Sequence, residues 1–258
     1  MHPFLNTATT AARKAGNLII RAMQDLSTLK VEEKAPHDYV TEINHQAEFL
    51  IVDILHKAYP EHSILTEESG QTAIGDSDYE WIIDALDGTH NFIHGIPHLC
   101  ISIAIKYKGK LEHGLIYDPF RDELFTASRG NGARLNNYRI RVANLSSLKQ
   151  SLVSTTIITN SSQSLAKQTT IFNKIMPDIA GIRMEGAAAL SLAYIAAGRL
   201  DAFWCDDLKI WDMAAGALIV REAGGIVTNL SGGEDFLESG NIVAGNLKVV
   251  RQLLPKLK

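Results

Sequence analysis

The sequence predicts a two-part chain, with helices packed on an antiparallel sheet over residues 1–145 and an α/β arrangement over residues 146–258. Three observations carry this. Two segments with apolar residues at helical spacing open the chain. A run of short segments rich in Ile, Val and Tyr follows, broken by Gly and Pro turns. After a polar stretch at 144–149, strand and helix patterns alternate.

Taken in order, Ala11, Ala15, Leu18, Ile19 and Ala22 mark an amphipathic N-terminal helix. A second helix is expected after Pro36. Thr41 is its N-cap, Ile43, Ala47, Leu50, Ile51, Ile54, Leu55 and Ala58 form its apolar face, and Pro60 stops it. From residue 62, "SILTEES", "YEWIID", "LCISIAIKYKGKLEHGLIYDP", "ELFTASRGNGARLN" and "YRIRVA" read as strands of a meander with turns at Gly109-Lys110 and Asp118-Pro119. Beyond 149 come the strand "SLVSTT", a helix near 163–176, "GIRME", the helical "AAALSLAYIAAG", "LDAFWC", the helical "WDMAAGALIVREAGG", "IVTNL", "NIVAGN" and a last helix.

Composition narrows the function. With 46% hydrophobic residues the chain can bury a large core, and a net charge of −4 gives no basic field for direct DNA binding. Two cysteines, Cys100 and Cys205, lie far apart in apolar surroundings, which suggests a reducing compartment and no disulfide framework. The start lacks a basic region followed by an apolar stretch, and no apolar run reaches a membrane-spanning length, so a soluble cytoplasmic protein is expected.

The chemistry is concentrated in "WIIDALDGTHNF". Trp81 to Ile83 read as a short buried strand, Gly88-Thr89 as the opening of a helix, and Asp84 and Asp87 stand three apart between them. A strand end feeding a helix N-terminus suits an anion, yet two carboxylates there would repel one. A divalent cation resolves the conflict, since Mg²⁺ is held by one or two carboxylates plus substrate phosphate oxygens. An aspartyl nucleophile of the haloacid-dehalogenase type needs carboxylates two apart, and Leu86 and Gly95 break an EF-hand pattern. A turn with a capping Asp is the plain structural alternative. Further acids accompany the motif: Glu67 and Glu68 follow a strand in "LTEES", and Asp212 begins the helix that Gly224-Gly225 ends.

Together, "LTEES", "WIIDALDGTHNF" and "WDMAAGALIVREAGG" resemble the inositol monophosphatase family of Mg²⁺-dependent, lithium-sensitive phosphatases. The opening "HPFLN…AARKAGNLI", the "YDPFRDELFTASRGNGARLN" hairpin and "NIVAGN" are most similar to its bacterial branch, and the likeness spans nearly the whole chain. The resemblance implies a layered α-β-α-β-α sandwich of the inositol monophosphatase and fructose-1,6-bisphosphatase type. It implies metal ligation by Glu67, Asp84, the Leu86 carbonyl, Asp87 and Asp212, with Asp84 bridging two ions. The same side chains, with Thr89, would form the catalytic set. Substrate contacts would come from Leu86, Gly88, Thr89, Gly186, Ala187, Ala188, Cys205 and Asp212. The implied cofactor is Mg²⁺, two or three ions, for which Mn²⁺ can substitute. The implied partners are a small phosphate ester and a second copy of the chain, with a transcription complex as a family-level hint.

Several positions depart from the family pattern. Asn44 stands where an aspartate usually pairs with the motif threonine, and loss of a general base typically costs about 10²- to 10⁴-fold. Asn44 also lies three residues after Thr41, so a purely local role in the first helical turn is the competing reading. Ala85 replaces a loop proline, at about 0.4–1 kcal/mol through unfolded-state entropy. His90 replaces Thr or Ser and stands four residues before His94, a spacing open to a transition metal. Cys205 stands where a glutamate reads inositol hydroxyls, with Asp206 as a substitute if the loop shifts. Ala187 and Ser191 also differ from close relatives. The expected activity is therefore a slow phosphomonoesterase of altered specificity on inositol monophosphate or a related ester. The alternatives are a regulatory binding protein on the same scaffold, associated with the transcription machinery, or a nucleotide bisphosphate or fructose bisphosphate phosphatase.

Overall fold

The computed structural model describes residues 2–35, 38–73, 77–156 and 162–257. Helices α1 (Pro3–Met23) and α2 (Glu42–Ala58) pack against each other, and between them β1 (Val31–Ala35) and β2 (Asp38–Thr41) form a small antiparallel ribbon. Pro36, expected to separate the helices, lies outside the described residues. Thr41 caps α2 as its sequence predicts, and Ala11, Ala15, Ile19, Ile43, Ala47, Ile51 and Leu55 are buried between the helix pair and the sheet beneath. Each large apolar side chain so buried contributes roughly 1.5–3 kcal/mol, which fixes the pair more firmly than helix propensity does.

The large sheet holds β3 (Ser63–Thr66), β4 (Gly70–Ala73), β5 (Tyr79–Asp87), β6 (Cys100–Tyr107), β7 (Lys110–Asp118), β8 (Glu123–Ser128), β9 (Ala133–Leu135) and β10 (Tyr138–Arg139). Its spatial order is β10-β9-β8-β7-β6-β5-β3-β4, antiparallel except for the β3–β5 pair. The meander is thus β5 to β10, and Lys108 and Gly109 take the positive φ that its first tight turn requires. Helix α3 (Thr89–Ile93) follows β5. The expected strand "YRIRVA" stops at Arg139, because the chain then leaves the sheet and the Val142 N–H donates to the Ala223 carbonyl.

The second sheet comprises β11 (Leu152–Thr155), β12 (Gly181–Arg183), β13 (Ala202–Cys205), β14 (Ile226–Thr228) and β15 (Ile242–Gly245), in the order β12-β11-β13-β15-β14. Its β11 pairs are parallel, while β15 runs antiparallel to β13 and β14. Helices α4 (Ser162–Ile175), α5 (Ala188–Ala196), α6 (Ile210–Glu222), α7 (Phe236–Ser239) and α8 (Leu247–Leu253) complete the chain. Helices α5 and α6 lie between the two sheets in one core, and α8 and α4 cover the far face of the second sheet in another. The layers are therefore α1/α2, large sheet, α5/α6, small sheet and α4/α8, the predicted α-β-α-β-α sandwich.

The middle layer is thin because its residues are small. A Cβ on Gly216 would stand 2.5 Å from Leu192 Cβ, and one on Gly114 of β7 would stand 2.9 Å from the Ala215 carbonyl oxygen. Alanine and glycine let α5, α6 and β7 approach closely, and that approach carries the start of α6 to the end of β5. No helix among the described residues is long and apolar enough to cross a membrane.

Candidate metal centre

Strand β5 runs further than the expected Trp81–Ile83 and contains both aspartates. In a regular strand, residues three apart face opposite sides. Here Asp84 pairs with Ser102 and Asp87 with Cys100, so three steps on β5 oppose two on β6. The extra residue makes a bulge, which turns both carboxylates to the same side. The parallel β3–β5 register pairs Thr66 with Ile83, so the next residue, Glu67, comes abreast of Asp84. Across the middle layer, the Ser102 hydroxyl donates to the Trp211 carbonyl at 3.1 Å and sets Asp212 opposite the same edge.

Glu67, Asp84, Leu86, Asp87, Gly88, Thr89, Gly186 and Asp212 thereby line one cavity of about 150 Å³, joined by Tyr39 and His90. Asp84 is 2% exposed and accepts the Leu86 N–H at 2.9 Å. Asp87 accepts the Ala188 and Ala189 N–H groups at 3.3 and 2.8 Å, capping α5, and the Cys100 thiol at 3.6 Å. Asp212 turns back to accept the Lys209 N–H at 2.8 Å. Ala187 and Ala188 are buried behind Asp87 rather than open to the cavity.

Burial is the first cause that lifts all four carboxyls. It raises Glu67 to about 7 against the pull of Lys34, and Asp87 to about 6 against its backbone donors. Asp84 and Asp212 are held well above the usual carboxylate range by burial and then by the neighbouring acids. Desolvated like charges of this kind are costly unless a cation joins them. The donors are chiefly carboxylate oxygens and the Leu86 carbonyl, with the His90 imidazole lining the same cavity, and this oxygen-rich set suits hard Mg²⁺ or Mn²⁺. Among the described residues no three His, Cys, Asp or Glu side chains form a ready coordination cage. Lys34 instead supplies the local positive charge, its Nζ 3.2 Å from Glu67 and 2.8 Å from Glu68. The donor chemistry fits such a cation, with Lys34 yielding Glu67 to it.

Asn44 answers both readings of its position at once. Its Oδ1 accepts the Thr41 N–H at 3.0 Å and the Thr41 hydroxyl at 2.7 Å, completing a capping box with Thr41. The Thr41 N–H is an unambiguous donor, so the other branch must be the NH₂ group. That Nδ2 donates to Thr89 Oγ1 at 2.9 Å and Glu68 Oε1 at 3.2 Å. Thr89 in turn donates to the Leu86 carbonyl at 3.2 Å.

Other expectations need correction. Cys205 is fully buried, its thiol donating to the Thr156 carbonyl at 3.1 Å, and it does not line the cavity. Asp206 faces α4 instead, paired with Lys167 at 2.7 Å and Gln168 at 2.5 Å. Ser191 donates to the Ala187 carbonyl at 2.9 Å within its own helix turn. His94 Nδ1 is 2.9 Å from the His90 carbonyl, and the two rings lie parallel 6.4 Å apart, which is not a chelating pair. The helix expected to open at Gly88-Thr89 is α3, which spans only Thr89–Ile93. The sequence reading missed Lys34, Tyr39 and Asn91. Asn91 Nδ2 donates to the His98 and Glu185 carbonyls at 2.6 and 2.7 Å and so pins the Gly186 turn against α3. Cys100 was read as apolar, but its pairing opposite Asp87 follows only from the bulged register.

Comparison with known proteins agrees with this geometry. A family model described as the inositol monophosphatase family matches residues 1–257. The chain is 51% identical to the Nus factor SuhB of Pseudomonas aeruginosa, over 100% of this chain and 97% of that protein. The crystal structure of the extragenic suppressor protein suhB from Bartonella henselae superposes with a TM-score of 0.96 at 44% identity, covering 100% of this chain and 99% of the other. The IMPase of Thermotoga maritima gives 0.90 at 34% identity, covering 99% and 97%.

Proposed function

The chain belongs to the inositol monophosphatase family, and from that premise we propose that it is a Mg²⁺-dependent phosphomonoesterase acting on inositol monophosphate or a related small phosphate ester. The convergence of Glu67, Asp84, Asp87 and Asp212 on one cavity carries this reading. These four carboxylates and the Leu86 carbonyl would hold the ions, which when bound supply charge neutralisation of the phosphate and a more acidic water. The chain's own part is positional. The bulge aims Asp84 and Asp87, the α5 backbone fixes Asp87, and Asn91 holds the turn at Gly186 where the ester would enter. Thr89 keeps one lone pair for a water, since its proton is engaged by Leu86 and its other lone pair by Asn44. An amide cannot take the proton onward, so hydrolysis should be slow. Lithium sensitivity, a homodimer and a cytoplasmic location belong to the same reading.

That blocked relay favours a second reading, in which the scaffold serves chiefly as a binding protein in the Nus-factor role named for its relative in Pseudomonas aeruginosa. One experiment separates them. Purified protein with Mg²⁺ and a panel of phosphomonoesters should release phosphate, lose it in Li⁺ and lose it on Asp84→Asn. Release at the level of the Asp84→Asn protein on every ester would leave the binding role alone.

A further inference from the structure

A second cavity among the described residues is larger than the carboxylate site. A cleft of about 620 Å³ opens on the α1 face of the large sheet, between the start of α1 and residues of β7, β8 and β9. It touches Tyr79 at the start of β5, five residues before Asp84, or roughly 17 Å at the rise of a strand. The two sites thus sit at opposite ends of the same strands, and the chemistry proposed above uses nothing in the cleft.

Its floor follows from register. His113 pairs with Ser128, Leu115 with Thr126, and Thr126 with Arg134, so His113, Thr126, Ser128 and Arg134 all stand on one face. His113 Nδ1 and Ser128 Oγ lie 2.8 Å apart and satisfy each other. Thr126 is only 5% exposed and places its hydroxyl side chain on the floor of the cleft. One wall is aromatic: the His2 ring stacks on His113 at 4.2 Å, and Tyr79 lies 4.6 Å from Tyr107. On the other side Glu112 is matched by Arg129 at 3.2 Å, while among the described residues Arg134 has no carboxylate partner and donates to the Asn137 carbonyl at 3.1 Å. The volume lies within the usual range for small-molecule sites.

We infer that this cleft is a second binding site, for a small ligand joining a planar aromatic ring to an anionic group. The ring lies against His2 and the tyrosines, a polar substituent meets Thr126, and the anion pairs with Arg134. The inference does not rest on the phosphatase reading. Naphthalene-1-sulfonate, which a phosphatase cannot hydrolyse, tests it by its own fluorescence, with saturating Mg²⁺ and inorganic phosphate present to occupy the carboxylate cavity. Saturable binding of one equivalent is expected. The exposed Arg134→Ala change should weaken it about 10-fold. Thr126→Val, which preserves shape, should weaken it about 3- to 10-fold for a ligand carrying a ring hydroxyl, read with 4-hydroxynaphthalene-1-sulfonate. Uncharged 1-naphthol should bind about 10-fold more weakly than the sulfonate. Failure to saturate below about 10 mM, or equal affinity in the Arg134→Ala protein, would overturn the inference.

Discussion

Replacing Asp84 with Asn should make the metal-free protein more stable while disabling the proposed hydrolysis. The amide keeps an acceptor for the Leu86 N–H and nearly the same volume, but removes a carboxyl that the folded protein must either protonate or hold as a desolvated charge beside three other acids. Glu67 rises from 4.5 to about 7 and Asp87 from 3.8 to about 6. At about 1.4 kcal/mol per pH unit, each rise corresponds to about 3 kcal/mol of destabilisation when the group is ionised. Burial is the leading cause, so removing one neighbouring charge recovers only a part, about 1–3 kcal/mol near pH 7.5. The folded carboxyls hold protons that the unfolded chain has released, so stability falls as pH rises from 4.5 to about 7 for Glu67 and from 3.8 to about 6 for Asp87. The gain from Asp84→Asn should therefore be largest above pH 7 and fade towards pH 4. Urea unfolding in EDTA at these two pH values measures it. Saturating Mg²⁺ should reverse the order, because the wild type binds the ion more tightly. A variant no more stable than wild type at pH 7.5 in EDTA would refute the claim that these acids repel one another in one pocket.

Asn44→Asp should retain the Thr41 capping bonds and give Thr89 a base, raising the phosphate-release rate by about 10²-fold, the lower end of the usual range for general bases. It also sets a carboxylate 3.2 Å from Glu68, so unfolding in EDTA should come about 1–3 kcal/mol earlier. An unchanged rate in a folded, Mg²⁺-bound variant would show that Thr89 relays nothing. Asn91→Ala removes two donations to half-buried carbonyls and should cost about 1–3 kcal/mol in thermal or urea unfolding, with KM rising more than kcat falls. Gly216→Ala drives a methyl into Leu192 and should destabilise by about 1–3 kcal/mol, seen as a lowered Tm with unaltered metal affinity per folded molecule.

The helices at the front of the chain, the meander and the alternation after 149 were legible because each shows its own period of apolar residues. The acid set was legible as a group of motifs. The β5 bulge was not, since nothing in "DALD" announces that three steps will oppose two, and without it the spacing of Asp84 and Asp87 makes no structural sense. Lys34 escaped notice for a related reason. It lies on an exposed two-stranded ribbon and reads as an ordinary surface cation until the fold lays that ribbon beside Glu67. The burial of Cys205 and the turning of Asp206 towards α4 depend on how β13 meets the neighbouring helix, a matter of tertiary packing that no local pattern encodes.

The capping box around Asn44 has an evolutionary corollary. A side chain there must offer an acceptor to the start of α2 on one limb and a polar atom to Thr89 on the other, at one fixed length. Among the genetically encoded amino acids, asparagine and aspartate meet that demand, and their codons differ by a single base. The helix cap is thus indifferent to the very exchange that, on the proposed phosphatase reading, would open or close a proton path, so descendants of this chain could change that path without giving up the start of α2.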